Sequence, residues 1–325
     1  MQGPRLYTLD GDGIRRLRSR RTALANLARL LSKFDAADDD WIPELYAAYC
    51  KRRGIGSTPA ELEALNVAVR RIRREVLSEY ADRKVFRNCS DVRVSRKLHE
   101  FRAVASAWVG RLDGLLEQPD RWLEQGERLK SGNTCTVALV EHEGRKLVVK
   151  RYNIKNLRHR LDRAWRRSRA ALSWANGYRL RLAGIPTAAP VALLEQRWGP
   201  LRGKAWLLNE YVEGPDLEQW MAAAEPAQRE LVAERVARLL HKLQRLRFTH
   251  GDLKASNIKI VELQPWLIDL DSLRQHRCDW LFQRRHARDL RRLLHNWRDD
   301  APVLEMMRRA LRKVYGNDPA LAGLL

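Results

Sequence analysis

Paired cysteines are missing from this sequence of 325 residues. Its four cysteines, Cys50, Cys89, Cys135 and Cys278, are scattered, and no two of them form a Cys-x-x-Cys pair. This spacing argues against a zinc site and against a small scaffold held by disulfides. We therefore expect the protein to work in a reducing compartment.

Long apolar runs are also missing. No stretch approaches the roughly 18 consecutive apolar residues of a membrane-spanning helix, and Met1 to Asp12 lacks the apolar centre of a signal peptide. Any membrane contact is therefore expected to be peripheral. The hydrophobic content of 45% still supports real cores, which excludes a disordered chain.

Acidic residues are scarce relative to basic ones. The chain has 40 Asp and Glu against 62 Lys and Arg, a formal net charge of +22. A field of this sign favours polyanionic partners such as nucleic acid, anionic lipid or phosphorylated sugar. Charge alone does not choose among the three.

The first 121 residues are predicted to be mainly helical. Apolar and basic positions alternate at helical spacing over 14–53, Gly54 to Pro59 breaks the pattern, and 60–80 predict another charged helix. Alternation at Val92 and Val94 then predicts a β-hairpin that turns near Lys97 to Glu100. We predict a helical segment over 1–54, followed over 55–121 by a helical linker and a hairpin.

A strand-rich lobe and then a helical lobe are predicted for the rest of the chain. Over 122–212, five short strands separated by turns at Gly132 and Gly144 and by a basic helical stretch predict a small antiparallel sheet. Over 213–325 the pattern becomes helical, with Pro226 in a first turn. The helix that begins near Pro226 is predicted to have one apolar face, formed by Leu231, Val236, Leu239, Leu240 and Leu243.

The sharpest chemical signal is His250-Gly251-Asp252, followed by Lys254, Asn257 and Asp269. Phosphoryl transfer needs a carboxylate near the attacking hydroxyl, an amide and a second carboxylate on magnesium, and a cation near the transferred phosphate. Asp252 is predicted to take the hydroxyl proton and Lys254 to neutralise the γ-phosphate, while Asn257 and Asp269 hold Mg²⁺. The spacing thus predicts a kinase that uses ATP and Mg²⁺.

Three further segments complete a predicted nucleotide site. Lys150 ends an apolar strand, as does the kinase lysine that grips the α- and β-phosphates. Gly132, Asn133 and Thr134 form a turn whose backbone amides are predicted to cover the phosphates. Glu210 and Val212 lie in the predicted hinge between the lobes, where backbone groups would meet adenine.

From about Gly126 to Trp297 the chain resembles the lipopolysaccharide core kinases of Gram-negative bacteria, the heptose and Kdo kinases. The resemblance rests on these segments: Lys150 to Lys155, Ser168 to Ala170 with Ser173 and Trp174, Gly184 to Thr187, Glu210 to Gly214, His250 to Asp252 and Ile268 to Asp271. It implies a bilobal protein-kinase-like α+β fold. It also implies phosphorylation of an inner-core sugar, heptose or Kdo, on the lipid A-linked acceptor at the cytoplasmic side of the inner membrane.

An internal repeat gives the first domain a second interpretation. Leu9 to Arg15 and the helix after it parallel Ile268 to Arg274 and the arginine-rich helix that follows there. The segment 1–54 is therefore predicted to be a partial copy of the end of a kinase C-lobe. The alternative is a chance similarity between two arginine-rich helices.

One departure from the kinase pattern concerns Lys150. Kinases pair this lysine with a glutamate on the following helix, but between Arg151 and Leu194 the only acidic residue is Asp162, and Ser173 stands where related kinases can carry the glutamate. Either Asn176 or Asp162 positions the lysine, or phosphate alone holds it.

A basic helical stretch offers a second interaction surface. From Arg151 to Ala183 there are ten Lys or Arg residues against Asp162, and Ile154, Leu157, Leu161, Trp165 and Leu172 recur near helical spacing. Such a helix suits an anionic membrane surface. The alternative is that the apolar stripe packs on the sheet and the arginines are solvated.

Two other functions remain open on the sequence alone. A pseudokinase-like module that binds anionic lipid or lipopolysaccharide intermediates would fit the missing helix glutamate. An atypical kinase of RNA metabolism would fit the basic surface and predicts RNA affinity that falls steeply with salt. Aminoglycoside phosphotransferases share the loop, but a cationic antibiotic is a poor partner for a protein of charge +22.

Overall fold

The computed structural model describes residues 19–132, 135–153, 167–199, 201–316, 318, 321 and 323–324. Several residues named in the sequence analysis lie outside these ranges: the first part of the amino-terminal repeat, Asn133, Thr134, Ile154, Leu157, Leu161, Asp162 and Trp165. The chain divides into two compact units, residues 1–34 with 38–73, and residues 35–37 with 74–325.

The smaller unit is helical, as the sequence predicts. It contains α1 (Arg20–Leu31), α2 (Ile42–Arg53) and the first part of α3 (Pro59–Asp82). Ser19 caps α1, and Gly54 ends α2 in the left-handed conformation that glycine tolerates. Its buried core is formed by Leu27, Ala28, Leu31, Ile42, Tyr46, Cys50, Leu65 and Val69.

In the larger unit, the described strands form one seven-stranded antiparallel sheet and two small pairs. The large sheet has the order β1-β2-β6-β7-β5-β4-β3. The predicted hairpin therefore extends the sheet at β6. The strands are β1 (Val92–Lys97), β2 (Glu100–Ala105), β3 (Glu127–Ser131), β4 (Cys135–His142), β5 (Arg145–Tyr152), β6 (Pro190–Trp198) and β7 (Leu201–Glu210).

Helices cover both faces of this sheet. Alternate residues of a strand point to opposite faces, so Leu147 and Val149 of β5 pack under α4 (Asp113–Glu117) and α5 (Pro119–Gln125). Tyr152 lies on the other face with α6 (Arg169–Leu182), whose Trp174 is fully buried. Lys150 lies on the same face of the sheet as Tyr152. The Lys150 side chain therefore points toward the second lobe.

The second lobe is mainly helical. It contains α7 (Leu217–Ala223), α8 (Pro226–Arg245), α9 (Asp279–Leu294) and α10 (Ala301–Tyr315). Two short antiparallel pairs lie between them: β8 (Phe248–Thr249) with β11 (Arg274–Gln275), and β9 (Ile258–Val261) with β10 (Gln264–Leu267). No helix among the described residues has the length and apolarity to span a bilayer.

The predicted two-lobed, kinase-like α+β fold is confirmed, and Pro226 opens α8 as expected. One core residue was predicted wrongly. Leu231 is 38% exposed, and Val232 is buried in its place beside Val236 and Leu240. Leu231 and Val236 are five residues apart, a spacing that separates them by well over a quarter turn of a 3.6-residue helix.

Candidate active site

Lys150 enters the site from β5. Its Nζ donates hydrogen bonds to Oδ1 of Asp269 at 2.7 Å and to Oδ2 of Asp271 at 2.8 Å. Burial works to lower the pKa of this amine, but the attraction of Asp271 and Asp269 outweighs it and raises the pKa above its usual value. The lysine is therefore a fixed cation.

Asp271 is the centre of this cluster, and its side chain is only 5% exposed. Besides Lys150 it accepts hydrogen bonds from the hydroxyl of Tyr152 at 2.6 Å and from Nη2 of Arg169 at 2.9 Å. It supplies the carboxylate that kinases place on the helix after the lysine strand. The described part of that helix, α6, carries no acidic residue.

Asn176 on α6 acts on the loop that carries both carboxylates. Its buried amide nitrogen donates to the backbone carbonyls of Leu270 and Leu273, both at 3.0 Å, and its oxygen accepts from Arg179 at 2.5 Å. Arg179 in turn pairs with Asp82 at 2.7 Å. Asn176 thus fixes the loop and acts on Lys150 only through it.

Asp269 has a strained backbone. Its φ of 58° and ψ of 61° lie in the left-handed region, which non-glycine residues seldom occupy and which clusters at functional sites. Burial works to raise the pKa of its carboxyl group, but Lys150 outweighs that effect and holds the pKa below its usual value. The group is therefore an anion at neutral pH.

The loop that contains Asp252 is anchored by a buried aspartate of α9. The carboxylate of Asp289 accepts from the backbone N–H of His250 at 2.6 Å and of Gly251 at 3.1 Å. The ring of His250 bonds to the carbonyl of Ile268 at 3.0 Å through Nε2. These bonds tie the loop after β8 to the segment that carries Asp269.

Asp252 lies at the open end of that loop. Its carboxylate pairs with Arg292 of α9 at 2.5 Å and, more loosely, with Lys254 at 3.5 Å. The side-chain nitrogen of Asn257 donates to the Asp252 carbonyl at 2.8 Å. Because its nitrogen is used in this way, the amide oxygen of Asn257 is the atom left to act as a ligand.

A cavity of about 480 Å³ lies between the two lobes. The predicted residues Lys150, Asn257, Asp269, Glu210 and Val212 all line it. Apolar side chains form walls on both sides: Leu129, Val137, Val148 and Leu207 come from the sheet, and Ile268 and Leu270 from the other lobe. This combination of apolar walls and a few charged groups at one end is typical of small-molecule sites.

Of the remaining predicted residues, Asp252, Lys254 and Gly132 do not line this cavity, and the other two lie outside the described ranges. Asp252 and Lys254 adjoin it through Asn257. Gly132 lies in the turn between β3 and β4, where its N–H donates to the Cys135 carbonyl at 3.2 Å. Asn133 and Thr134 of the same turn are not among the described residues.

Sequence reasoning missed three contributors, Asp289, Arg292 and the pairing role of Asp271. Asp289 had a visible signal, because it falls at helical spacing with Phe282, His286 and Leu293 on the apolar face of an arginine-rich helix. A lone carboxylate on an apolar face must find donors when it is buried. Arg292 had no such signal among its many arginine neighbours.

The basic stretch begins in β5, which ends at Tyr152, and its helical part is described only from Arg167 onward. Ser168 caps α6, and Arg167 and Arg169 are engaged with Asp82 and Asp271. Most of α6 is buried, although Leu172 is exposed. The described part of the stretch is therefore a core helix that supports the site.

Comparison with known proteins places this site in a family. Residues 115–315 match the lipopolysaccharide kinase (Kdo/WaaP) family. Among solved structures, WaaP in complex with acyl carrier protein is similar at 22% sequence identity and a TM-score of 0.46, over 67% of this chain and 91% of that one. No curated protein matches the chain significantly. Since the family match covers most of the chain and spans every residue of the site from Lys150 to Arg292, the protein is a kinase that belongs to the lipopolysaccharide kinase (Kdo/WaaP) family.

Proposed function

We propose that this kinase transfers the γ-phosphoryl group of ATP to a hydroxyl of a heptose or Kdo residue in the inner core of lipopolysaccharide. One observation carries the proposal: Lys150, Asp269 and Asn257 line a single cavity with the hinge residues, and Asp252 adjoins it. The cavity volume lies within the range of roughly 300–1,000 Å³ typical of ligand sites. Membership of the family supplies the reaction class and ATP as the donor.

Each residue has a defined task in this reaction. The hinge from Asn209 to Val212 and the apolar walls enclose the adenine, and Lys150 neutralises the α- and β-phosphates. Asp252 orients the acceptor hydroxyl and takes its proton as the new O–P bond forms and the bond to the ADP oxygen breaks. Lys254 lies beside Asp252 and neutralises the γ-phosphate.

Asp269 and Asn257 fit a magnesium ion. One presents an anionic carboxylate and the other an amide oxygen, both of which are hard oxygen ligands. The described residues contain no cluster of three or more His, Cys, Asp or Glu that would hold a metal alone, so phosphate oxygens would complete the coordination. When bound, the ion neutralises charge on the transferred phosphate.

The alternative of a binding module without catalysis rested on the missing helix glutamate. Asp271 supports the lysine instead, which favours the enzyme. We place the reaction at the cytoplasmic face of the inner membrane, with the protein bound peripherally, because a chain of charge +22 suits an anionic surface and a lipid A-linked acceptor.

The test is incubation with labelled ATP, magnesium and deep-core lipopolysaccharide, followed by mass analysis of the sugar that gains phosphate. Asp252→Asn should lower turnover by about 10²-fold or more, as loss of a catalytic base does. Asp299→Asn is a matched control, since that carboxylate is 87% exposed and far along the chain from the loop. Turnover by Asp252→Asn at the parent rate would contradict the assigned role, and phosphate found only on an RNA added in competition would contradict the acceptor class.

A further inference from the structure

One face of α9 carries a row of exposed charges that ends at the catalytic aspartate. Arg284, Arg288 and Arg292 follow one another at intervals of four residues, and all three are exposed. Residues four apart are neighbours on the surface of a helix, and each such interval turns by about 40°, so the row winds gradually around the exposed side. Trp280, 67% exposed, continues the row by one more interval. We call these four residues the α9 stripe.

The orientation of the stripe is fixed by the opposite face of the helix. Phe282, His286, Asp289 and Leu293 are buried, and Asp289 holds the loop of Asp252. The helix cannot rotate without breaking that anchor. The stripe is therefore held in one position relative to the site.

The two ends of the stripe differ in chemistry. At one end Arg292 touches the Asp252 carboxylate at 2.5 Å. At the other, Trp280 offers an exposed ring, with the guanidinium of Arg284 5.8 Å from the ring centroid. At a rise of 1.5 Å per residue, the twelve residues between them span about 18 Å. A single sugar ring whose hydroxyl lies at Asp252 is too short to extend along this whole length.

We propose that the α9 stripe is the binding track for the acceptor glycolipid, an inference that rests on the proposed function. Arginine pairs with phosphate and carboxylate groups through two parallel hydrogen bonds. Arg284 and Arg288 bind such groups on the core saccharide, and Trp280 contacts the lipid-linked end of the same molecule. An anionic group at Arg292 draws the guanidinium away from Asp252 and frees the carboxylate to meet the acceptor hydroxyl.

Charge complementarity supports this occupant. The only other acidic residue of α9 besides the buried Asp289 is Asp279, which pairs with Arg247 at 2.9 Å. The exposed face toward Asp252 is thus uniformly cationic. A phosphorylated or carboxylated saccharide complements it, and a neutral sugar does not.

The test compares two double variants of equal charge. Arg284→Gln with Arg288→Gln removes the middle of the stripe, while Arg121→Gln with Arg238→Gln removes two exposed arginines from other elements. Binding of deep-core lipopolysaccharide in detergent micelles is titrated without ATP. We expect the stripe variant to bind at least tenfold more weakly and with a smaller salt dependence, and the control to match the parent protein.

Steady-state kinetics and binding of a lipid-free saccharide test the same proposal further. The KM for the acceptor should rise in the stripe variant, while the KM for ATP stays equal to that of the control. Trp280→Ser should weaken binding of intact lipopolysaccharide but not of the saccharide released from its lipid. Circular dichroism and thermal melting check that all variants fold.

Two outcomes would overturn the track. One is equal affinity of the stripe and control variants for lipopolysaccharide. The other is a loss confined to phosphatidylglycerol vesicles with saccharide binding retained, which would make the stripe a general membrane contact. Because the titration needs no phosphate transfer, a parent protein that binds the core without phosphorylating it would contradict the proposed function and leave the track supported.

Discussion

Lys150 and Asp271 form an ion pair of 2.8 Å across 121 positions of the chain. In the general kinase arrangement the strand lysine is held by a helix, which can move independently of the metal-binding loop. Here the same short loop carries Asp271 and Asp269, so the lysine and the proposed metal ligand share one support. Any displacement of that loop disturbs both together.

Asp271→Asn should therefore impair nucleotide binding as well as turnover. The substitution leaves Lys150, Tyr152 and Arg169 without a shared anion, and a misplacement of about 1 Å at such a site can cost about 10²-fold in rate. We expect a higher KM for ATP and a lower kcat, measured by steady-state kinetics. Adding Ser173→Glu should restore part of the loss, because Ser173 lines the same cavity as Lys150. Unchanged kinetics in Asp271→Asn would show that phosphate alone positions the lysine.

Asn176→Leu tests the support of the loop. The variant keeps the side-chain size but removes the hydrogen bonds of Asn176 to the carbonyls of Leu270 and Leu273 and to Arg179. Arg179 keeps its pair with Asp82 and the Leu270 carbonyl keeps the N–H of Leu273, so the Leu273 carbonyl is the group left without a partner among the described residues. One unsatisfied buried carbonyl costs about 1–3 kcal/mol and each of the two other lost hydrogen bonds about 0.5–1.5 kcal/mol, so urea unfolding should show a loss of about 2–6 kcal/mol. We also expect a higher magnesium requirement, because the loop positions Asp269. A lower unfolding midpoint with parent-like magnesium dependence would confine Asn176 to a structural role.

The sequence allowed several residues that line the cavity to be predicted because they belong to short sequence segments. Asp252, Asn257 and Asp269 are separated only by one loop and one hairpin. The direction of the Lys150 side chain follows from the two-residue alternation of its strand. The hairpin at 92–105 was also found by its local alternation, although its place at the edge beside β6 was not.

What could not be predicted depends on pairs that only folding brings together. Asp271 was visible in the motif, but its link to Lys150 depends on how the two lobes meet. Asn176 was considered as a direct partner of the lysine, whereas it binds backbone carbonyls that carry no sequence signal. The domain boundaries at 54, 121 and 212 and the partial repeat over 1–54 remain predictions.

Stability should fall on mild acidification because of His286. Burial lowers the pKa of this ring to about 4, against about 6.5 in an unfolded chain. Between these pH values His286 is protonated in the unfolded state but not in the folded state. The free energy of unfolding therefore decreases as pH falls from about 6.5 to about 4, by up to about 3 kcal/mol. Above pH 6.5 this group contributes no slope.

His286→Gln isolates that contribution in urea titrations at several pH values. The ring contacts the Tyr315 hydroxyl at 2.9 Å through Nε2, so the variant is expected to be less stable at neutral pH. The difference between parent and variant should shrink steadily below pH 6.5. A difference that stays constant down to pH 4 would mean that His286 has the same pKa in the folded and unfolded states.

Gly251→Ala and Gly144→Ala form a matched pair that separates backbone strain from crowding at the loop of Asp252. Both glycines have positive φ, +80° and +70°, and an alanine in this region costs about 1–2 kcal/mol. A Cβ at Gly251 would lie 2.8 Å from the Cβ and the carbonyl oxygen of Ser272, whereas at Gly144 nothing lies within 4 Å. Gly144→Ala should thus lose only the stability that backbone strain costs and keep the kinetics of the parent protein. Gly251→Ala must push the loop of Asp252 away from the segment of Asp269, so we expect a larger loss of stability and a fall in kcat of about 10²-fold. Equal effects of the two substitutions on stability and kcat would show that the two segments can separate without disturbing the site.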